Sequence, residues 1–147
     1  MGTCIALWGA FSQEERDYLQ HCDEIAFVSR YLVPHEQTYE QALAEVKSGR
    51  KQTHWMWWIF PQMRGLGLSE HSRFYGIPSR YIAEKYLKHP LLRQHLVEIT
   101  QAVYDNDRTP YEIFGSDVVK FRSCMQLFAS LEDAPAIFGK VLRQNCW

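Results

Sequence analysis

Apolar residues recur along most of the chain at intervals of three and four residues, which is the spacing of one face of an α-helix. The predicted helices cover residues 14–32, 38–47, 79–87, 90–104, 117–131 and 134–142, with a single helical turn at 109–115. Outside residues 50–62, no segment alternates between apolar and polar side chains as a half-buried β-strand does. We therefore predict a mainly α, compact single-domain helical fold.

Several residues predict where these helices begin and end. The predicted caps are the capping boxes Thr38–Gln41 and Thr109–Glu112 and the single N-cap residues Ser79 and Ser116. A capping box satisfies two free backbone N–H groups at a helix start. Pro34 is expected to end the first helix, because the residue before a proline avoids the α conformation. Gly49 is a typical C-terminal stop for the second.

The segment RKQTHWMWWIFPQ, residues 50–62, is the most unusual in the chain, because it holds three of the five tryptophans. If it is a short helix capped by Thr53, then His54, Trp57 and Trp58 share one face. If it is a strand, both of its sides are still largely apolar. Either alternative predicts burial, and we favour the short helix.

Composition narrows the class of protein. The 147 residues suit one domain, and an aromatic share of 14% predicts an aromatic-rich core. A net charge of −1 argues against nucleic acid or anionic lipid as a general partner. The apolar N-terminus is too short to cross a membrane. The four cysteines are scattered, as in a reduced, cytoplasmic protein, and Cys124 is expected to be a small buried residue.

Common cofactor and metal motifs are absent from the sequence. It contains no dinucleotide-binding glycine motif, no Walker A loop and no HExxH zinc motif. His95 and Glu98 have helical spacing, but one such pair does not make a metal site, and a paired surface position is expected for them. We predict neither a metal nor a cofactor.

The first candidate site lies in residues 50–62. A planar ligand could stack on Trp55, Trp57 or Trp58, with phosphates on Lys51 and its neighbour Arg50, and His54 could donate or accept a proton. The alternative is a tryptophan-rich core with a buried histidine and a solvated basic pair.

The second candidate site is FGSDVVKFRSCM, residues 114–125. Gly115 and Ser116 precede a predicted helix start, where free N–H groups favour an anion. Lys120, Arg122 and Ser123 follow within two turns. The alternative is a capped helix with an Asp117–Lys120 ion pair. Three further residues, Arg64, Arg73 and Arg80, flank a glycine-rich turn at 65–67 as a diffuse basic rim or as scattered surface arginines.

The sequence resembles the DUF1810 family. The blocks that carry the resemblance are TYEQALAEVKSGRKQTHWMWWIFPQMRGLG, SRFYGI, AEKYLKHPLL and EIFGSDVVKFRSCMQLF, within about residues 25–142. The family pattern falls on Lys51, His54, Trp55, Trp57, Pro61 and Gln62, and on Phe114, Gly115, Asp117, Lys120, Arg122, Ser123 and Met125. The resemblance implies a compact helical fold, in which polar residues from two distant blocks belong together.

The resemblance also implies the domain limits. Residues 1–24 precede the usual start of the family, as an N-terminal extension with the start of the first helix. Residues 25–147 form the family-like domain, with a C-terminal tail shorter than usual.

Together, these observations predict a small-molecule site between the two blocks, for an anionic, ring-bearing ligand such as a nucleotide or an ADP-ribose-like compound. His54 would be an acid or base, and Asp117 would orient a neighbour or act as the base. The predicted ligand contacts are Lys51, Trp55, Trp57, Gln62, Lys120, Arg122 and Ser123. Whether the site is catalytic is left open. The alternatives are a non-catalytic protein-interaction module and, against the net charge, a single-stranded nucleic-acid binder.

Overall fold

The computed structural model describes residues 12, 14, 24–64 and 69–147. Within these ranges the chain is mainly helical, and the predicted fold class is confirmed. The helices are α1 (Val33–Ser48), α2 (Met56–Ile59), α3 (Glu70–Tyr75), α4 (Arg80–Lys88), α5 (Pro90–Tyr104), α6 (Pro110–Phe114), α7 (Val118–Ala129) and α8 (Ala136–Gln144). The described residues contain no strand, and their one β-bridge joins Met63 to Ile77. The start of the first predicted helix and the turn at 65–67 lie largely outside the described residues.

The core is one cluster of buried residues between the longer helices. Helix α5 packs against α1, α4 and α8, and α8 also packs against α7. Aromatic rings join residues 55–60 to α7, because the Phe60 ring lies edge-on to Phe121 with 5.0 Å between centroids. Phe114 in turn stacks on Phe121 at 4.7 Å. These contacts confirm the predicted aromatic-rich core, and Cys124 is buried in it as expected.

Pro34 does not end a helix, contrary to the sequence prediction. The backbone is helical from residue 24 onward, makes a π-helical turn over Val28–Leu32 and continues directly into α1. In this turn the N–H of Val33 bonds to the carbonyl of Val28. Pro34 follows in the first turn of α1, a position where helices tolerate a proline. The π-helical turn therefore leads directly into α1, and the helix continues past Pro34.

The predicted capping box at Thr38 is also wrong, because Thr38 lies inside α1. Its hydroxyl donates to the carbonyl of Pro34 at 2.7 Å and accepts a hydrogen bond from the indole Nε1 of Trp58 at 2.8 Å. A long-range contact with an aromatic side chain takes the place of the local cap. By contrast, the caps at Ser79 and Thr109 and the stop at Gly49, in the left-handed region at φ 86°, are confirmed.

Residues 50–62 contain the predicted short helix, α2, but Thr53 does not cap it. The N-cap residue is Trp55, which makes no side-chain cap. Ser116 does not cap α7 either, because Gly115–Asp117 is a 3₁₀ turn that places Asp117 at the N-cap. The Thr53 hydroxyl bonds to Glu45 instead of capping α2, and Ser116 lies inside the 3₁₀ turn.

Glu45 organises the turn between α1 and α2. Its carboxylate is buried, and its Oε1 accepts hydrogen bonds from the backbone N–H groups of Gln52 at 2.6 Å and Thr53 at 2.9 Å. The Trp55 indole donates to the same oxygen at 3.1 Å. The Thr53 hydroxyl and the Gln41 amide donate to Oε2, at 2.6 and 2.8 Å. One carboxylate thus holds the backbone and a tryptophan of the turn in place.

These bonds also fix the charge of Glu45. Burial on its own would raise the pKa of the carboxyl group, but the hydrogen bonds from Thr53 and Gln52 outweigh it and lower the pKa to about 2. Each of these donors favours the ionised form. The Glu45 carboxylate is therefore ionised at every pH near neutrality.

A second, partly buried polar cluster joins α1 to α5. The His35 Nδ1–H donates to the carbonyl of Trp58 at 3.2 Å, and its Nε2 lies 2.8 Å from Nδ1 of His95. The Tyr39 ring stacks on His95 at 3.7 Å, and its hydroxyl donates to Glu98. Burial lowers the pKa of His35 to about 4. Neutral His35 therefore accepts from His95, and Glu98 pairs with a tyrosine across the interface.

We expect Glu45→Gln to lower the free energy of unfolding by about 3 kcal/mol, because the amide turns an NH₂ group toward donors that need an acceptor. Urea denaturation followed by circular dichroism measures this change. The matched control is Glu40→Gln, an exposed position on the same helix, where the expected change is near zero. Equal, small losses in the two variants would contradict the role assigned to Glu45.

The low pKa of His35 makes stability depend on pH. Because the unfolded chain binds a proton near the ordinary histidine pKa of 6.5 and the folded chain only near 4, stability falls as the pH drops through this window. The expected loss is about 3 kcal/mol, reached at a pH of about 4. Urea denaturation at several pH values gives the free energy of unfolding as a function of pH. This free energy should fall much less steeply with decreasing pH in His35→Gln than in the unaltered protein, whatever the stability of the variant at neutral pH. An unchanged slope would assign the dependence to other groups.

Candidate functional site

The two blocks singled out in the sequence meet at an ion cluster. The ammonium of Lys51 lies 3.1 Å from Oδ2 of Asp117, and the ammonium of Lys120 lies 2.9 Å from Oδ1 of the same carboxylate. Lys51 also donates to the carbonyl of Thr53 at 2.7 Å. One carboxylate from the second block therefore bridges a lysine of each block.

Local backbone features bring these groups together. The N–H of Lys51 bonds to the carbonyl of Ile113 at 2.7 Å, which ties the turn after α1 to α6. Gly115 then reverses the chain at φ 58° and ψ −129°, a conformation that residues with a Cβ rarely adopt. Open space surrounds this glycine, so its backbone conformation is the reason for its identity. The reversal places Asp117 at the start of α7, facing Lys51.

Each lysine of the cluster also lies over a tryptophan ring. The Lys51 ammonium is 5.1 Å from the centroid of Trp55, and the Lys120 ammonium is 5.2 Å from Trp57. Both distances fall within the range of cation–π attraction. The two rings differ in exposure, because Trp55 is 1% exposed and belongs to the core, whereas Trp57 is only half-buried.

The lysines control the charge of Asp117. Partial burial would raise its pKa, but the hydrogen bonds and charges of Lys120 and Lys51 lower the pKa below its usual range. The carboxylate is therefore ionised and weakly basic at neutral pH. Two cations against one anion leave the cluster with an excess of positive charge, which suits an anionic ligand.

The structure does not bring every predicted residue into this cluster. His54 is exposed, and no described residue makes a hydrogen bond or ion pair with its side chain, although its neighbour Thr53 is bonded to Lys51. Gln62 is buried, and its backbone carbonyl accepts a hydrogen bond from the backbone N–H of Ile77 at 2.8 Å. Arg122 lies roughly 200° around α7 from Lys120, so it projects from the other flank of the helix.

Ser123 stays closer to the cluster than Arg122. It is half-buried one turn after Lys120, and residues three apart on a helix lie on the same side. The accessible part of the candidate site therefore consists of Lys120, Asp117, the Trp57 ring and the nearby surface.

Sequence reasoning missed His71, which extends this surface. Its imidazole lies 6.3 Å from Trp57, with the two planes 17° apart, and 6.1 Å from Tyr75, with planes 16° apart. The available signal was the i, i+4 spacing of His71 and Tyr75 on α3, but their neighbour Trp57 lies in a different segment. Three nearly parallel rings thus lead away from Lys120.

Some functional classes find no support in the described part of the chain. These residues contain no group of three or more histidine, cysteine, aspartate or glutamate side chains able to hold a metal ion. None of the described helices has the length and apolar character needed to cross a membrane.

The fold and site define a small all-helical domain, in which an aspartate from one of the two blocks bridges lysines beside two tryptophans. The chain belongs to the DUF1810 family, described as a protein of unknown function, and residues 26–146 match it. The conserved hypothetical protein Rv1873 from Mycobacterium tuberculosis, a solved crystal structure, is similar at 40% sequence identity. The similarity covers 80% of this chain and 85% of that one, with a TM-score of 0.75. No curated protein matches the chain significantly.

Asp117 should matter for stability mainly through Lys51. The Lys51 side chain is only 9% exposed, so Asp117→Asn leaves a nearly buried ammonium without its counter-ion and should lower the free energy of unfolding by about 2 kcal/mol. Lys120→Gln breaks a more exposed pair and should lower it by less than about 1 kcal/mol. Urea denaturation of both variants tests this order.

The control is a double-mutant cycle with Lys51→Met, which keeps the aliphatic stem over Trp55. If the ion pair carries the effect, the Lys51→Met and Asp117→Asn double variant loses clearly less than the sum of the single variants. Strict additivity would mean that the two groups act independently.

Proposed function

We propose that this domain binds an anionic, ring-bearing small molecule, of the nucleotide or ADP-ribose-like class, at the surface formed by Lys120, Asp117 and Trp57. The observation that carries the proposal is the convergence of two lysines on one carboxylate beside a half-buried tryptophan. Such a surface offers positive charge and an aromatic face side by side.

The two lysines have different parts in this proposal. Lys51 is 9% exposed and already bonded to Asp117 and to the Thr53 carbonyl, so its donors are largely used within the protein. The Lys120 side chain is 29% exposed and keeps donors free for a ligand. We assign the anion contact to Lys120 and assign to Lys51 the task of holding Asp117 in place.

Trp57 is the residue that we assign to ring stacking. Trp55 is excluded from this task, because its ring is buried and its indole N–H is bonded to Glu45. No hydrogen bond from the Trp57 indole to another described residue is present, and its near-parallel neighbour His71 extends the aromatic surface. Stacking of a base on an aromatic side chain contributes about 1–3 kcal/mol.

The polar groups around this surface suggest roles in any reaction there. Asp117 is held ionised by two lysines, which favours an orienting role over that of a general base. His54 is exposed and lies outside the cluster, so proton transfer by its imidazole stays a prediction from the sequence. Binding is the proposed function, and turnover would be an additional property of the site.

A thermal-shift panel of nucleotides, dinucleotides, ADP-ribose and sugar phosphates tests the proposal. A ligand at about 100 times its dissociation constant adds about 2.7 kcal/mol to the stability of the protein. The expected result is a shift with one ligand class that Lys120→Gln and Trp57→Leu reduce, each compared with its own unliganded melting temperature. The matched control is Lys140→Gln, an exposed lysine on α8, which should keep the full shift.

Two results would count against the proposal. A flat panel with a well-folded protein would favour the non-catalytic interaction module. A shift that survives both Lys120→Gln and Trp57→Leu would mean that the ligand binds elsewhere on the protein.

A further inference from the structure

His71, the ring neighbour of Trp57, also lines a basic cleft. The cleft has a volume of about 700 Å³ and is lined by Arg30, Arg64, Glu70, His71, Arg73, Phe74 and Tyr75. Cavities of this size accept small-molecule ligands. The π-helical turn before α1, the segment after α2 and helix α3 each contribute an arginine to it.

The charge of this cleft is not balanced by the described residues. Its lining has three arginines against Glu70 as the one acidic side chain, and none of these four residues takes part in an ion pair within the described part of the chain. The Nε of Arg64 is buried without a hydrogen-bond partner there. The Arg64 guanidinium is therefore not neutralised by a described partner, and as a lining residue of the cleft it favours an anion there.

The Tyr31 phenol, which lies near Arg30 and Arg64, adds no compensating charge. The Tyr31 hydroxyl donates to the carbonyl of Tyr75 at 2.8 Å, which ties the π-helical turn to α3. Burial raises the pKa of Tyr31 to about 12, even though Arg30 and Arg64 oppose the shift. The phenol is therefore neutral, and the two arginines near it keep their excess charge.

The aromatic side chains of the cleft are arranged for a planar group. Phe74 is 48% exposed, and the Arg30 guanidinium lies 4.7 Å from its ring centroid. This contact holds Arg30 at the wall of the cleft. The rings of His71 and Tyr75 also line the cleft, with their planes 16° apart.

We infer that this cleft is a second anion site, which binds the phosphate group of a small phosphorylated ligand and takes its planar ring against Phe74. Guanidinium groups suit phosphate because two parallel N–H donors match two of its oxygens. The inference does not depend on the proposed function at Lys120, since no side chain of the Lys51–Asp117–Lys120 cluster lines the cleft.

Isothermal titration calorimetry with inorganic pyrophosphate tests the anion site. We expect binding to the unaltered protein and roughly tenfold or greater weakening in Arg64→Gln and in Arg73→Gln, as for loss of a charge-assisted hydrogen bond. Arg73 is exposed, so its variant keeps the test valid if Arg64→Gln fails to fold. The control is Arg143→Gln, an exposed arginine on α8, which should bind pyrophosphate normally. Lys120→Gln is measured alongside it to separate the cleft from the Lys120 surface.

Three results would overturn the inference. They are absence of pyrophosphate binding by the folded protein, unchanged affinity in both arginine variants, and equal weakening in Lys120→Gln. The last result would assign the anion to the Lys120 surface. Pyrophosphate binding that the arginine variants weaken, together with a nucleotide shift that survives Lys120→Gln and Trp57→Leu, would retain the cleft and remove the proposed function.

The ring contact is tested separately, with AMP in the Lys120→Gln background so that binding at the cleft is measured. We expect AMP to bind more tightly than inorganic phosphate, and Phe74→Leu to reduce this ratio several-fold. Taking the ratio removes any effect of the Arg30–Phe74 contact on phosphate itself. Equal affinities for AMP and phosphate, or a ratio unchanged by Phe74→Leu, would overturn the ring assignment.

Discussion

The candidate site depends on a carboxylate that lies outside it. Glu45 accepts five hydrogen bonds, from Gln41, from the backbone and hydroxyl of Thr53, from the backbone of Gln52 and from the Trp55 indole. Without Glu45, the buried indole N–H of Trp55 and the partly buried backbone N–H groups of Gln52 and Thr53 would have no acceptor in the turn, which is unfavourable. Because the turn has one conformation, Lys51 reaches Asp117 and the next residues enter α2 with Trp57 beside Lys120.

This arrangement divides the polar residues of the two blocks into two sets. Lys51 and Trp55 are nearly or fully buried, and their contacts within the protein account for their identities. Lys120 and Trp57 are more exposed, and each has capacity for a further contact. The structural alternative is therefore right for Trp55, which belongs to the core. It is wrong for Lys51, which it expects to be solvated, and for His54, which it expects to be buried. The ligand-binding proposal concerns the second set.

The sequence predicted the parts of the fold that depend on local chemistry. Gly49, Ser79 and the Thr109–Glu112 box mark helix ends because their effects act within one turn. Thr38 and Ser116 were misassigned as caps, and Thr38 shows the reason, since its hydroxyl bonds to Pro34 and to a tryptophan 20 residues away. Local spacing carries no information about such a partner.

The same limit applies to the sites. The link between the two blocks came from the family resemblance, since spacing alone favoured a simple Asp117–Lys120 pair; that pair is present, and Lys51 joins it. The sequence does not distinguish Glu45 from a solvent-exposed glutamate, because most of its hydrogen-bond partners lie in the turn that follows the helix. From the sequence, Arg64 and Arg73 are predicted only as part of a diffuse basic rim or as scattered surface arginines. Arg30 is distant from them in sequence, on the π-helical turn. It lines the same cleft because α3 packs against that turn.

The most direct test of the central claim is a nuclear magnetic resonance titration that follows the tryptophan indole N–H signals as ADP-ribose is added. In the described residues the indoles of Trp55, Trp58 and Trp147 are bonded to Glu45, Thr38 and Tyr111, and Trp57→Phe identifies the Trp57 signal. The account predicts a saturable shift of the Trp57 signal, a nearly unchanged Trp55 signal, and loss of the shift in Lys120→Gln. An unmoved Trp57 signal, while the protein binds ADP-ribose elsewhere or not at all, would contradict it.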